Sequence, residues 1–419
     1  MKILDDVMEG TIAALDVGSS KVACLIADFS PDGSYVVRGV GNRACNGGVV
    51  GGAIVDMELT EKAIRASVDQ SEKMAGTTVS DVILSFSGGE PQTRVIEVEV
   101  DVAGHAVTQT DVDQAIAEAK EQIDFDEDGL LHAFPAAYAV DGNYGTKPPV
   151  GMYGKKLGLA VLAVTVSAGP LKNLEACVRR AHLNVRSVVL APYAAGLSSL
   201  VDDEMKMGAA CIDLGGGTTG ISVYAQGALV HSEILPIGGA QITEQVARNL
   251  LTPFDEAERL KTFHGCARVD ATDEHIEIEV PQVGEVGSDR VVRMKRSALT
   301  SVVEKELELL FTTIADRLDQ SGFSGVAGRR VVITGGSAQC EAVRDLASRI
   351  LGRHVRIGRP QKVSGLPVAG QSPNFAVAVG LLEYAAKTPQ QIFKQDKQTS
   401  NIPQGGGFSR VMRWIKESF

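Results

Sequence analysis

Two stretches of the chain repeat one pattern. TIAALDVGSSKVACLIAD at 11–28 and GAACIDLGGGTTGISVYA at 208–225 each run apolar and β-rich up to an aspartate, break into a turn of Gly, Ser and Thr, and resume as a β-rich run. The pattern predicts two β-hairpins with small polar tips, one in each half of the chain. Between them the period changes. TEKAIRASVDQSEKMA at 60–75 sets Ile64 and Val68 on one face behind Thr60, which reads as a Thr-capped helix, and DVILSFSGG that follows reads as a strand.

Residues 84–166 break this rhythm. RVIEVEVDV at 94–102 alternates as a half-exposed strand does, TQTDVDQAIAEAKEQI at 108–123 is an acidic amphipathic helix, GNYGTKPPVGMYG is a loop, and LGLAVLAVTV at 157–166 is a buried strand. The segment predicts a small inserted α+β module. The main fold resumes at GPLKNLEACVRRAHL, a helix with Pro170 expected at its first position. Past the second hairpin, 238–250 and 253–265 read as helices, IEIEVPQVGEVGSDRVVRM as β-rich, Ser297 to about Gln320 as a long helix, VVITGGSAQ at 331–339 as strand then turn, and FAVAVGLLEYAAK at 375–387 as an apolar helix. Residues 388–407 lack periodicity and are rich in Gln, Gly, Pro and Lys, the composition of a disordered linker with a reach of about 25 Å.

The expected class is therefore α/β, with two related lobes. The first lobe takes 1–83 and 167–197, the insertion 84–166, the second lobe 198–237 and 329–387, an outer subdomain 238–328, the linker 388–407 and a terminal amphipathic helix 408–419. At 419 residues the chain is long enough for more than one core. Its net charge of −11 argues against a general nucleic-acid binder. The six cysteines (Cys24, Cys45, Cys177, Cys211, Cys266, Cys340) are scattered without a C-x-x-C pair and read as reduced thiols, and His132, His231 and His264 as packed or surface residues. The acidic start MKILDDVMEG is unlike a signal peptide, and the longest apolar run is half the ~20 residues that span a bilayer.

Chemistry concentrates in three turns. In DVGSSK, a tip without bulky side chains (Gly18, Ser19, Ser20) lets successive N–H groups converge on phosphate, Lys21 adds a charge-assisted contact, and Asp16 is placed to hold Mg²⁺ through water. In DLGGGTTG, Gly215, Gly216 and Gly217 outnumber what a hairpin needs, so close approach to a ligand is expected, with Asp213 as the second acid facing a metal and Thr218 and Thr219 as hydroxyl donors. In ITGGSAQ, Gly335, Gly336 and Ser337 are placed to lie against a nucleoside. Glu258 and Lys261, on one helix face, are placed to clamp a purine or ribose.

The order of these turns on two related halves resembles the actin, Hsp70 and sugar-kinase superfamily, which implies ATP and Mg²⁺ as ligands. A kinase would need a carboxylate base between the phosphate turns, and VRSVVLAPYAAGLSSL has none. A chaperone would need a substrate domain beyond the ATPase. ALDVGSSK, LLHAFPAAYAVDG, PVGMYGKKL, IDLGGGTTGISVY, HGCA, VVITGGSAQ, VRIGRP, AVAVGLL and WIKESF together are similar to the FtsA family of bacterial cell-division proteins over nearly the whole chain. The resemblance implies an actin-like fold with its small domain inserted in the first half, ATP at the three turns with Glu258 and Lys261 near the adenine, and at most slow hydrolysis, since no hinge residue matches a catalytic glutamine. A scaffold of another envelope machine, of the pilus inner-membrane type, is the alternative.

Placed at 100° per residue, Phe408, Val411, Met412, Ile415 and Phe419 share one face, Trp414 lies at its edge, and Arg410, Arg413 and Lys416 lie opposite. That is the pattern of an in-plane anchor on an anionic membrane. The resemblance further implies self-association into filaments, later division proteins as partners, and the C-terminal peptide of the tubulin-like FtsZ bound by the outer subdomain. A local basic cluster there, Arg290, Arg293, Lys295 and Arg296, suits an acidic, apolar peptide.

Overall fold

The computed structural model describes residues 10–122, 128–285, 291–361 and 363–387. The linker, the terminal helix with all nine of its expected membrane contacts (Phe408 to Phe419), and Arg290 lie outside the described residues.

Both aspartate-bearing runs form hairpins. Gly10–Val17 pairs antiparallel with Lys21–Phe29, and Ala209–Leu214 with Thr219–Ala225. Each hairpin is extended by a third antiparallel strand, Tyr35–Ala44 in the first case and Ala228–Leu235 in the second. On its other side each first strand takes a parallel partner, Asp81–Phe86 or Arg330–Thr334, and beyond that a further parallel strand, Asn184–Leu190 or His354–Ile357. The two five-stranded sheets thus share one topology, and each has its own core of Val, Ile, Leu and Ala. In both, the aspartate is the penultimate residue of a central strand.

The insertion is a four-stranded antiparallel sheet in the order Gln92–Asp101, Lys156–Ser167, Asp128–Val140, Asn143–Gly145, covered by helix Gln109–Gln122. Lys156–Ser167 is buried on both faces, Leu157, Leu159 and Val161 in the insertion's own core and Leu162, Val164 and Val166 in that of the first lobe, which is why its sequence is nearly all apolar. Two helix starts differ from expectation. Helix Met57–Ala75 is capped by Asp56, whose carboxylate accepts from the N–H groups of Glu58 and Leu59 at 2.9 Å, while Thr60 lies inside and donates its hydroxyl to the Asp56 carbonyl. A carboxylate at the cap complements the helix dipole better than a hydroxyl does. Helix Ala168–Arg180 begins two residues before Pro170, still within the first turn where a missing N–H costs nothing.

The lobes join through two crossed helices, Ala191–Ser199 and Ala376–Lys387. They approach so closely that a Cβ on Gly380 would stand 1.8 Å from the Ala194 carbonyl oxygen. The short helix Asp202–Met207 beside them carries Glu204, 3% exposed at its side chain, which accepts from Arg356 Nε at 2.8 Å and pairs with Arg330 at 3.3 Å. Arg356 also donates to the Ser199 carbonyl at 2.7 Å, so this cluster clips the hinge helix to the second sheet. Burial disfavours the Glu204 charge, but Arg356, the Val201 N–H and Arg330 together outweigh it and hold the carboxyl below its usual range.

A group whose folded pKa is depressed contributes stability above its unfolded pKa, here near 4.5, and loses it as pH falls through the folded value. Glu204→Gln, which strands two arginines, is expected to cost about 3 kcal/mol at pH 7 in urea unfolding. The gap should narrow below pH ~4, and equal midpoints at pH 7 would remove Glu204 as the clip.

Candidate functional site

The repeated topology brings the ends of the two central strands together. Asp16 is half-buried; Ser85, on the neighbouring parallel strand, donates to its Oδ1 at 2.7 Å and accepts the Val17 N–H at 3.2 Å. Burial pushes the Asp16 carboxyl up, against the Ser85 hydrogen bond and the Lys21 charge. Asp213 is pushed up to about 7 by burial and by the Asp16 charge, with Lys21 opposing. Lys21 is brought down to about 8 by burial, although both aspartates pull it back up. Its ammonium has no hydrogen-bond partner and lies 3.8 Å from the centre of the Phe375 ring. Two carboxylates beside one ammonium that makes no hydrogen bond form a net-anionic cluster suited to a cation, with N–H donors left for an anionic oxygen.

The hairpin tips close over this cluster. Gly18 N–H bonds to the Lys21 carbonyl at 3.0 Å to make the first turn. In the second, the carbonyls of Gly215 and Gly216 accept from the N–H groups of Gly239 and Ala240 at 3.0 and 2.7 Å, at the start of helix Gly239–Leu250. Because each peptide is trans, the N–H groups of Gly216 and Gly217 are turned away from that helix. The tips face each other: a Cβ on Gly216 would fall 2.9 Å from Ser20 Oγ, and one on Gly217 2.3 Å from Ser19 Oγ. Gly215 N–H bonds to the Thr218 carbonyl at 2.9 Å. Thr219 differs from expectation, being fully buried with its hydroxyl donated to the Ile237 carbonyl at 2.8 Å; it braces the strand and has no donor left for a ligand.

The third turn closes the same space. Gly335, at φ +89°, is a position for glycine alone, since a Cβ would lie 2.5 Å from Asp213 Oδ1. Ser337 donates to the Gly215 carbonyl at 3.3 Å, and Gly336 begins the short 3₁₀ turn beside it. Lys261 Nζ donates to the Gly239 carbonyl at 2.9 Å, to Thr243 Oγ1 at 2.7 Å and to Glu258 Oε2 at 2.7 Å. Glu258 is held below the usual carboxylate range by Lys261 and Thr243, against its burial. A cavity of about 660 Å³ opens behind the third turn between Ala338, Gln339, Val343, Ile357, Pro360 and Ser372, ample for a nucleoside base. Its walls do not include the two aspartates.

Of the expected site residues, the three turns, both aspartates, Lys21, Glu258 and Lys261 therefore share one neighbourhood. The sequence reading missed Ser85, Phe375 and Gly239. A lone serine amid the apolar run DVILSF was a signal for Ser85; Phe375 and Gly239 come close only through the tertiary fold. The basic cluster is divided. Arg293 is exposed and only loosely paired with Glu279, at 3.9 Å, beside the exposed Val291 and Val292. Lys295 donates to the Glu274 carbonyl. Arg296 is turned inward, bonded to the His264 carbonyl at 2.9 Å, Asp273 at 3.3 Å and Glu341 at 3.0 Å, so it is a strut of the outer subdomain, with no free charge for a peptide. His132 is buried and accepts the Leu190 N–H, as a packed histidine does.

A buried acid with a raised pKa stabilises the fold below its unfolded value and costs stability as pH rises through the folded one. Asp213→Asn is accordingly expected to raise the thermal midpoint of the ligand-free protein at pH 8, with the advantage vanishing near pH 4; a lower midpoint at pH 8 would mean that the carboxylate is held by more than its neighbours here.

The family model for "Cell division protein FtsA" matches residues 210–380, and that for the "SHS2 domain inserted in FTSA" matches 88–165. A cell division protein FtsA of Agrobacterium fabrum is 39% identical over 100% of this chain and 97% of its own. Among solved structures, the "PilM-PilN type IV pilus biogenesis complex" aligns with TM-score 0.63 at 16% identity, covering 91% of this chain and 99% of that one. MreB5 of Spiroplasma citri bound to ADP aligns with TM-score 0.53 at 13% identity, covering 91% and 97%. The pilus and MreB likenesses establish the shared actin-like fold; full-length identity separates the pilus alternative from the cell-division one. The chain belongs to the FtsA family of cell division proteins.

Proposed function

We propose that this chain is an ATP-binding, actin-like cell-division scaffold that assembles on the cytoplasmic face of the membrane and tethers FtsZ filaments there. The observation that carries the nucleotide reading is the buried cluster of Asp16, Asp213 and Lys21 under three glycine turns. An unpartnered ammonium suits a phosphate oxygen. Two carboxylates suit Mg²⁺, held through its waters, because no cluster of three metal-ligating side chains forms among the described residues. The turn N–H groups would receive the phosphates, with Ser19, Ser20 and Thr218 beside them, and Gly336, Ser337, Glu258 and Lys261 would lie against the nucleoside. Mg²⁺ would neutralise the phosphate charge.

Hydrolysis is expected to be slow. The hinge helix APYAAGLSS carries no carboxylate or amide side chain to position an attacking water, and it is buried nearly throughout. Nucleotide then serves as a ligand that couples lobe closure to head-to-tail assembly. A single amphipathic segment of twelve residues such as 408–419 would bind membrane weakly, so assembly would strengthen attachment through avidity, by a factor of ~10²–10⁴.

Co-sedimentation with anionic liposomes and Mg·ATP tests the anchor. The intact chain should pellet and a chain ending at Lys387 should not; equal pelleting would move the tail to a protein partner. For the FtsZ peptide, Arg293→Glu is expected to weaken binding about tenfold, roughly 1.4 kcal/mol, in fluorescence anisotropy. Unchanged affinity would remove this patch from the interface.

A further inference from the structure

Phe375 lies outside every motif that pointed to the nucleotide, yet it meets Lys21 at close range. The Lys21 ammonium is buried, takes no hydrogen bond, and stands 3.8 Å from the centre of the Phe375 ring. The charges that act on it are those of Asp16 and Asp213, on the two central strands. The ring is fixed in its turn. Phe375 is 6% exposed and closes the 3₁₀ segment Pro373–Phe375, whose first carbonyl accepts from Gly335 N–H at 3.2 Å and from Thr334 Oγ1 at 3.2 Å. Phe375 N–H is itself bonded to the Ser372 carbonyl at 3.1 Å. One short segment therefore touches the third glycine turn with its backbone and the lysine of the first turn with its side chain.

We infer that Phe375 is a positioning residue for phosphate binding: its ring face holds the Lys21 ammonium beside the hairpin tips and stays against it when a phosphate oxygen takes up the free N–H donors. The ring face is electron-rich, so it accommodates a desolvated cation without accepting a proton or a hydrogen bond. That distinguishes it from an acidic partner, which would neutralise Lys21 and would have to be displaced by the incoming phosphate. An aliphatic side chain would fill the space and leave the ammonium free to turn toward Asp16 or Asp213. The inference rests on the nucleotide reading above.

The test is calorimetric titration of the full chain and of Phe375→Leu with Mg·ATP, with adenosine as the phosphate-free probe. Loss of the ring is expected to weaken Mg·ATP about five- to tenfold and to leave adenosine unchanged. In a Lys21→Met background, Phe375→Leu should have no further effect, a coupling that a packing role would not produce. Equal losses for ATP and adenosine, or equal losses with and without Lys21, would overturn the inference and make Phe375 a packing residue. Should Phe375→Leu fold poorly by thermal denaturation, Phe375→Met carries the same comparison. If the unmodified chain fails to bind Mg·ATP, the nucleotide reading falls and this inference with it; normal ATP binding by Phe375→Leu would sink only the inference.

Discussion

Everything else in this structure is arranged around two like charges that should not be buried side by side. Asp16 and Asp213 lie at the ends of two central strands, largely withdrawn from water; burial raises the proton affinity of both, and the Asp16 charge raises that of Asp213 further. One lysine offsets them and is itself brought down by burial. A ligand-free protein gains nothing from such a cluster. It persists because the strands on either side fix both aspartates: Ser85 holds one, and the third glycine turn packs against the other.

The duplicated topology is the means of that convergence. Two sheets of the same strand order, joined at crossed helices, point the same end of the same strand at one space. The turns meet at distances that exclude a Cβ on either Gly216 or Gly217. The second turn leans its carbonyls on the helix behind it, so the same hydrogen bonds that cap Gly239–Leu250 orient the turn's N–H groups. Packing at the hinge and geometry at the site are thus one problem. A shift of the lobes moves the hairpin tips, and a ligand between the tips biases the lobes.

Much of this was legible in order along the chain. The two hairpins, the intrusive α+β module and the long helix Arg296–Gln320 follow from hydrophobic period, because each buries one face or both. Helix starts were less legible: Asp56 and Thr60 both offer a capping oxygen, and only the backbone angle decides between them. Side-chain commitments were least legible. Arg296 and Arg293 look alike in SDRVVRMKRS, yet one is a half-buried strut and the other exposed, and Thr218 and Thr219 divide in the same way.

By itself the sequence determined the identity of the three turns, the two aspartates and Lys21, because glycine runs and buried acids are costly unless something is bound there. It also set the strand and helix periods that build two lobes. Only the tertiary structure decided which of the candidate groups remain free for a ligand, since a hydroxyl or guanidinium donates to whatever acceptor the fold brings within 3 Å or so. Phe375 shows the same division: it is 354 residues from Lys21 in the chain, and no local pattern records a contact made only when helix Ala376–Lys387 packs against the first sheet.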